Sequence, residues 1–109
     1  MTSAKPDNEA LHRIADIDRT VHAPARLSIL AFLSVVESAD FTFVMRQTGL
    51  TRGNLSSHMT KLEAGGYIEI NREFVDKIPR TLLRLSERGR DAIDAYRRNM
   101  THVLDGFPR

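Results

Sequence analysis

The chain contains no cysteine. Disulfides, thiolate metal sites and thiol redox sensing are therefore excluded in any compartment. It also lacks a long apolar run. The longest, Ile29 to Val36, is interrupted by Ser34 and falls far short of the roughly 20 residues that cross a bilayer. Met1 to Asn8 carries Lys5 and Asp7 and no apolar stretch, so it does not read as a secretory signal. No repeat, low-complexity segment or linker interrupts the chain. A cytoplasmic protein is the expectation, and 109 residues suit one domain with a modest core.

Charge of one sign is scarce overall but unevenly placed. The net charge is +2. Residues 46–90 hold nine Lys/Arg against five Asp/Glu, a local excess of +4, whereas residues 1–45 are at −2 and residues 91–109 are neutral. A basic stretch attracts phosphates. A mixed solvated surface accounts for an excess of this size equally well.

What is present is punctuated apolar periodicity. Residues 1–9 read as a loose tail. Residues 10–20 read as a helix, with Leu11, Ile14 and Ile17 on one side. Pro24 suits the first turn of the next helix, where its missing N–H costs nothing. That helix, Ala25 to Val36, is apolar nearly all round, as a buried central helix should be. A short helix is predicted over Thr42 to Gln47. Gly49 follows its end, and Thr51 is a good N-cap for the next helix. There Leu55, Met59 and Leu62 fall at i, i+4 and i+7 on one face. Gly65-Gly66 stops it. Tyr67 to Phe74 alternates as a half-buried strand, Asp76 to Pro79 reads as a turn, and Thr81 to Leu85 as a second strand. Ser86 caps a final helix over 87–104.

Two short helices joined through Thr48-Gly49-Leu50, over residues 41–63, have the layout of a helix-turn-helix. A hairpin over 67–85 follows directly. The order predicts a mainly α fold with a small β-hairpin: a winged helix-turn-helix occupying residues 10–109.

Three blocks carry a family resemblance. The first is Asp18-Arg19 with His22-Ala23-Pro24-Ala25-Arg26-Leu27-Ser28-Ile29-Leu30. The second is Asp40-Phe41, then the helix-turn-helix and Leu62-Glu63-Ala64-Gly65-Gly66-Tyr67-Ile68. The third is Pro79-Arg80-Thr81 with Leu85-Ser86-Glu87-Arg88-Gly89-Arg90. Together, in this order, they resemble the small stand-alone winged-helix transcriptional regulators of the MarR and ArsR types. The resemblance implies a DNA-binding regulator that works as a homodimer. Two positions depart from the pattern. The turn Asp76-Lys77-Ile78-Pro79 has less glycine and positive charge than such wings often carry, and Ser86 stands where threonine is frequent.

The residues then suggest contact roles. In the helix 51–63 the candidates are Thr51, Arg52, Gly53, Asn54, Ser56, Ser57, His58 and Lys61. Recognition helices meet bases with their N-terminal half. Arginine reads guanine, asparagine reads adenine, and serine discriminates less. As a bland alternative, each of these is an ordinary polar residue of a first helical turn. Gly53 costs about 1 kcal/mol against alanine in a helix. It signals either close approach of backbone to DNA or an end position that tolerates it. Lys61 reads as a phosphate contact or else as a solvated lysine. His58 reads either as a proton-dependent phosphate donor or as a packed polar side chain. Arg72, Lys77 and Arg80 are the hairpin candidates, placed on the flanking backbone or minor groove. Arg72 and Arg84 also suit cross-strand pairing.

The stripes Leu11, Ile14, Ile17 and Ile93, Tyr96, Met100, Val103, Phe107 suggest that terminal helices pair two copies around a two-fold axis. Two recognition helices would then lie about one DNA turn apart, ~34 Å, and meet a palindromic operator. The alternative is that these helices cap their own core. Without cysteine, and with His12, His22, His58 and His102 at no ligand spacing, no metal or other cofactor is expected. Nor is there a phosphate loop or a supported catalytic triad, so an enzyme is not expected. A winged helix that binds protein or RNA is the rival to a DNA-binding transcriptional repressor.

Overall fold

The computed structural model describes residues 8–108. The tail expected over 1–9 lies outside them as far as residue 7. Asn8 and Glu9 already belong to the first helix, α1 (Asn8–Ala15). This helix is shorter than its apolar pattern predicts. The reason is Asp18, whose carboxylate accepts the backbone N–H groups of Thr20 (2.9 Å) and Val21 (3.2 Å). A short acidic side chain offers the backbone an alternative to the helical ladder. The other carboxylate oxygen accepts the hydroxyl of Tyr67, so the turn is tied to the start of the hairpin.

Helix α2 (Pro24–Leu33) begins with proline in its first turn, as expected, and buries Ile29, Leu30 and Leu33. It stops three residues earlier than predicted. The Ser34 hydroxyl turns back to the carbonyl of Ala31 (2.7 Å), and Val35 is exposed. A two-residue strand, β1 (Ala39–Asp40), follows. The sequence reading has no counterpart for it, because two residues cannot show a period of two.

Helix α3 (Phe41–Thr48) is capped by Asp40, which accepts from the N–H of Phe43 (2.8 Å). It ends at Gly49, whose φ of +72° lies in the left-handed region that glycine enters without strain. Helix α4 (Arg52–Ala64) is capped by Thr51, whose hydroxyl accepts from the N–H of Asn54 (3.2 Å). Its anchors are those read from the pattern, Leu55, Met59 and Leu62, all buried.

The hairpin differs from expectation. Strands β2 (Ile68–Val75) and β3 (Ile78–Leu85) are joined by two residues, Asp76 (φ +52°) and Lys77 (φ +66°). Two positive φ values in a two-residue loop are those of the turn that matches strand twist. The expected four-residue turn therefore shrinks, and Ile78 and Pro79 join the strand. Pro79 is tolerated because it faces Phe74, one pair beyond the turn-flanking pair Val75 and Ile78. In an antiparallel ladder such a pair exchanges no N–H bonds. β1 reaches only Leu82 and Leu83, so no strand calls on proline's missing donor from the other side. The sheet order is β1-β3-β2.

Helix α5 (Glu87–Asp105) is capped by Ser86, which accepts from the N–H of Gly89 (2.9 Å). The Ser86 hydroxyl donates in turn to the carbonyl of Gly66 (2.6 Å). A Cβ at Gly89 would stand 2.2 Å from the Tyr67 carbonyl oxygen, so glycine is what lets α5 close on the hairpin. The core joins Val21, α2, Ala39, Val44, the α4 anchors, Ile68, Leu83 and Leu85. Ala92, Ile93 and Tyr96 pack against it. The remainder of α5 lies with α1, and Arg13 donates to Asn99 (3.2 Å) between them. The radius of gyration is 17.2 Å, against about 13 Å for a compact domain of this length.

Candidate nucleic-acid interface

The core anchors fix which face of α4 is open. With Leu55, Met59 and Leu62 inward, Arg52, Gly53, Asn54, Ser56, Ser57 and Lys61 are all exposed. Thr51, also exposed, uses its hydroxyl oxygen as the cap acceptor and keeps its proton for another partner. The Thr60 hydroxyl is turned back to the Ser56 carbonyl (3.0 Å). A Cβ at Gly53 would meet nothing within 4 Å. The fold itself therefore gives no steric reason for glycine there, in contrast to Gly89.

Arg52 does not float. Its guanidinium carbon lies 5.2 Å from the centre of the Phe41 ring, a cation–π contact that holds the charge at the start of the helix. The sequence reading missed Phe41 because the contact joins two helices. It left no periodic signal beyond an aromatic residue beside the Asp40 cap.

His58 is the one candidate that is half-buried. Arg26 Nη1 lies 3.2 Å from its Nδ1. Arginine has no acceptor, so Nδ1 must present its lone pair and the ring proton sits on Nε2. Burial lowers the pKa of His58, and the Arg26 and Lys61 charges lower it further. The imidazole is thus neutral at neutral pH. Arg26 also donates to the carbonyls of Thr20 and Arg19, joining the turn after α1 to α4. The 32-residue separation of Arg26 and His58 hid this contact from pattern reading.

Across from α4 stands the hairpin. Between them runs an open cleft of about 680 Å³, whose walls include Arg52 and Ser56 on one side and Arg72, Arg80 and Ile78 on the other. The hairpin cations divide into two groups. Arg84 is paired with Glu69, its direct cross-strand neighbour, at 2.8 Å. Arg80 lies 3.8 Å from the half-exposed Asp40 carboxylate, a surface contact of little energy. Among the described residues no ion pair engages Arg52, Lys61, Arg72 or Lys77. Arg72 faces Thr81 rather than an acid, and Lys77 sits exposed at the tip.

The eight apolar residues of the terminal stripes are not equally placed. Val103 is buried within the chain, and Ile93 and Tyr96 pack on its own core. In the single chain these three are not exposed, because α1 and the core already cover that side of α5. Tyr96 also hydrogen-bonds His22 (2.8 Å). Ile17 and Met100 are half-buried. Leu11, Ile14 and Phe107 are 41–49% exposed. Leu104, absent from the expected stripe, is 60% exposed.

Comparison with known proteins places the fold. A chain from Pyrococcus horikoshii, described as a transcriptional regulator homologue, superposes with a TM-score of 0.80 at 30% identity, covering 90% of this chain and 96% of that one. The uncharacterized protein MJ0432 of Methanocaldococcus jannaschii is 32% identical over 71 residues, 65% of this chain and 77% of its own length. The transcriptional repressor CouR, solved on a 23-mer DNA duplex, shares the fold with a TM-score of 0.61 at 22% identity, over 90% of this chain and 64% of CouR. The model of the winged helix DNA-binding domain family matches residues 25–104, which run from α2 through the recognition helix and hairpin into α5, and the chain belongs to that family.

Proposed function

We propose that the protein is a sequence-specific transcriptional repressor of the cytoplasm that binds a palindromic operator as a homodimer. Helix α4 enters the major groove, with Arg52, Asn54, Ser56 and Ser57 at base edges and Lys61 on a phosphate. The hairpin lies against the flanking backbone or minor groove. The observation that carries this reading is the open face of α4: among the described residues the side chains of Arg52, Asn54, Ser56, Ser57 and Lys61 make no ion pair, only Arg52 is held from within, by Phe41, and a cleft separates this face from an equally unpaired Arg72.

The dimer reading rests on the arm. Leu11, Ile14, Leu104 and Phe107 leave apolar surface on α1 and the end of α5, beyond the reach of the core. A second copy is the partner that would cover both arms symmetrically.

The test is selection of bound fragments from genomic DNA, followed by titration of the recovered duplex against salt. Three cations per subunit assigned to phosphates, Lys61 and two of the wing, give a dimer a log–log slope of about −5. Failure to bind any duplex at low salt would exclude the reading.

A further inference from the structure

The hairpin is zoned along its length. Ile68, Ile70, Leu83 and Leu85 pair within or against the core. Past Asn71–Leu82, the pairs Arg72–Thr81 and Glu73–Arg80 are polar and carry two of the hairpin's four cations, the others being Arg84 near the base and Lys77 in the turn. Beyond them the pairs Phe74–Pro79 and Val75–Ile78 are apolar. Phe74 is 75% exposed, Ile78 66% and Val75 41%. Side chains of successive residues point to opposite faces of a strand. The tip therefore presents Phe74 and Pro79 on one face, and Val75 and Ile78 on the other. At its end Asp76 and Lys77 cancel in charge, and both are held at positive φ. A wing meant only to neutralise phosphates would be cationic to its end.

We propose that this tip is an apolar wedge that enters and widens the minor groove beside the recognition site, so that the protein selects deformable flanking sequence. The inference rests on the DNA-binding reading above and adds the chemistry of the tip. Continuity argues for DNA as the occupant: Val75, Ile78 and Pro79 line the same cleft as Arg52, Arg72 and Arg80. The dimensions agree. With Arg80 at a phosphate on the groove rim, the two residues beyond its pair on each strand, Phe74–Val75 and Ile78–Pro79, reach about 7 Å, close to the ~7.5 Å depth of the minor groove. A two-stranded tip with side chains on both faces is wider than the ~6 Å groove, so it must push the walls apart. Apolar side chains do this in other minor-groove proteins by packing on sugars and unstacking base steps. Asp76 also disfavours the narrow, strongly negative groove of an A-tract, which attracts arginine-tipped elements instead.

The experiment uses a duplex recovered by selection, rebuilt with two flanks: a stiff A-tract, or TA and CA steps. Affinities are measured for the wild type and for the double variant Phe74→Ser/Ile78→Ser, whose fold is checked by thermal melting. The wild type is expected to bind the flexible flank at least fivefold more tightly. The double variant is expected to lose that preference, to bind the flexible duplex about tenfold more weakly, and to keep the wild-type salt slope, since no charge is removed. Indifference of the wild type to the flank, or preference for the A-tract, overturns the inference while leaving DNA binding intact. A double variant with unchanged affinity does the same. So does a change in its oligomeric mass, which would assign the tip to a second copy. Absence of wild-type binding to every duplex instead removes the DNA-binding reading itself.

Discussion

Replacing Gly53 by alanine separates the demands of the fold from those of DNA. The added Cβ meets no atom within 4 Å, and Gly53 lies in the first turn of α4 with no positive φ to forbid a side chain. Glycine in a helix interior is about 1 kcal/mol worse than alanine, through the entropy of the unfolded chain and the exposed backbone. In a first turn roughly half of that or more should be recovered, about 0.5–1 kcal/mol, which raises the Tm by roughly 2–6 °C for a chain of this size. Thermal melting followed by circular dichroism measures it.

The DNA arm has the opposite sign. If the backbone at Gly53 approaches a base edge or sugar closely, the new methyl is overpacked there. Overpacking costs about 1–3 kcal/mol at a tight contact, and 1.4 kcal/mol is tenfold in affinity. A dimer carries the methyl twice, so the loss is about 100-fold on a two-half-site operator and can be read by fluorescence anisotropy. A variant that melts higher and binds equally well would refute close approach and leave Gly53 as a tolerated end residue. A variant that melts lower would refute the account of the local structure.

Gly89→Ala should do the reverse to stability. With the Tyr67 carbonyl oxygen at 2.2 Å and Leu85 Cδ1 at 2.6 Å from the new Cβ, α5 must move off the hairpin and the Ser86 cap with it. A loss of at least about 3 kcal/mol follows from combined overpacking and cap loss, visible as a collapse of the melting temperature. Arg52→Ala should relax preference at one base position by about 1–3 kcal/mol, whereas Lys61→Ala should weaken all duplexes alike and reduce the salt slope by about 1 per subunit; identical behaviour of the two variants would void the role assignment. His58 has its pKa lowered in the fold, so the folded state holds fewer protons than the unfolded state just below the ordinary value of 6.5. Its contribution to stability is full above that pH and is lost as pH falls through the lowered value. His58→Asn, whose amide oxygen can still accept from Arg26, should flatten that part of the stability profile, and an unchanged profile would exonerate His58. Light scattering should give twice the 12.3 kDa chain mass, and Leu104→Glu with Phe107→Glu should give monomers; a monomeric wild type at micromolar concentration would count against the pair.

Much of the fold was legible because it rests on local rules. The Leu55, Met59, Leu62 period, the Thr51 and Ser86 caps and the left-handed Gly49 each follow from residues within a few positions of one another. Some misreadings arise where a distant partner decides, others where a local turn departs from its usual residues. Helix α1 stops at a turn whose Asp18 is also engaged by Tyr67, 49 residues away. Strand β1 exists because Ala39 and Asp40 find Leu83 and Leu82. The hairpin turn is short although Asp-Lys lacks the glycine that normally announces two positive φ values. The candidate site was legible as a list of α4 residues. Its cleft, the Phe41 seat of Arg52 and the Arg26 partner of His58 are tertiary and left no trace in spacing.

Helix α4 also departs from local rules that α1 and α5 keep, although α2 and α3 likewise carry no acid in the first turn. The first turn of α5 carries Glu87 and that of α1 carries Glu9, acids suited to the positive end of a helix dipole. The first turn of α4 has no acid, and its leading residues are Arg52 and Gly53. A cation there forgoes or opposes about 0.3–1 kcal/mol of dipole stabilisation, and the glycine adds up to about 1 kcal/mol. No acidic residue follows until Glu63, although 14 of the 109 residues are acidic. The Thr51 cap and the Arg52–Phe41 contact offset part of this cost. A sequence optimised for the helix alone would place an acid and an alanine at these positions. Local violations concentrated on one turn, with compensation built around them, are expected where a surface serves a ligand rather than the fold. A helix start that combines exposed N–H groups, a fixed guanidinium and a bare backbone suits a polyanion with readable edges.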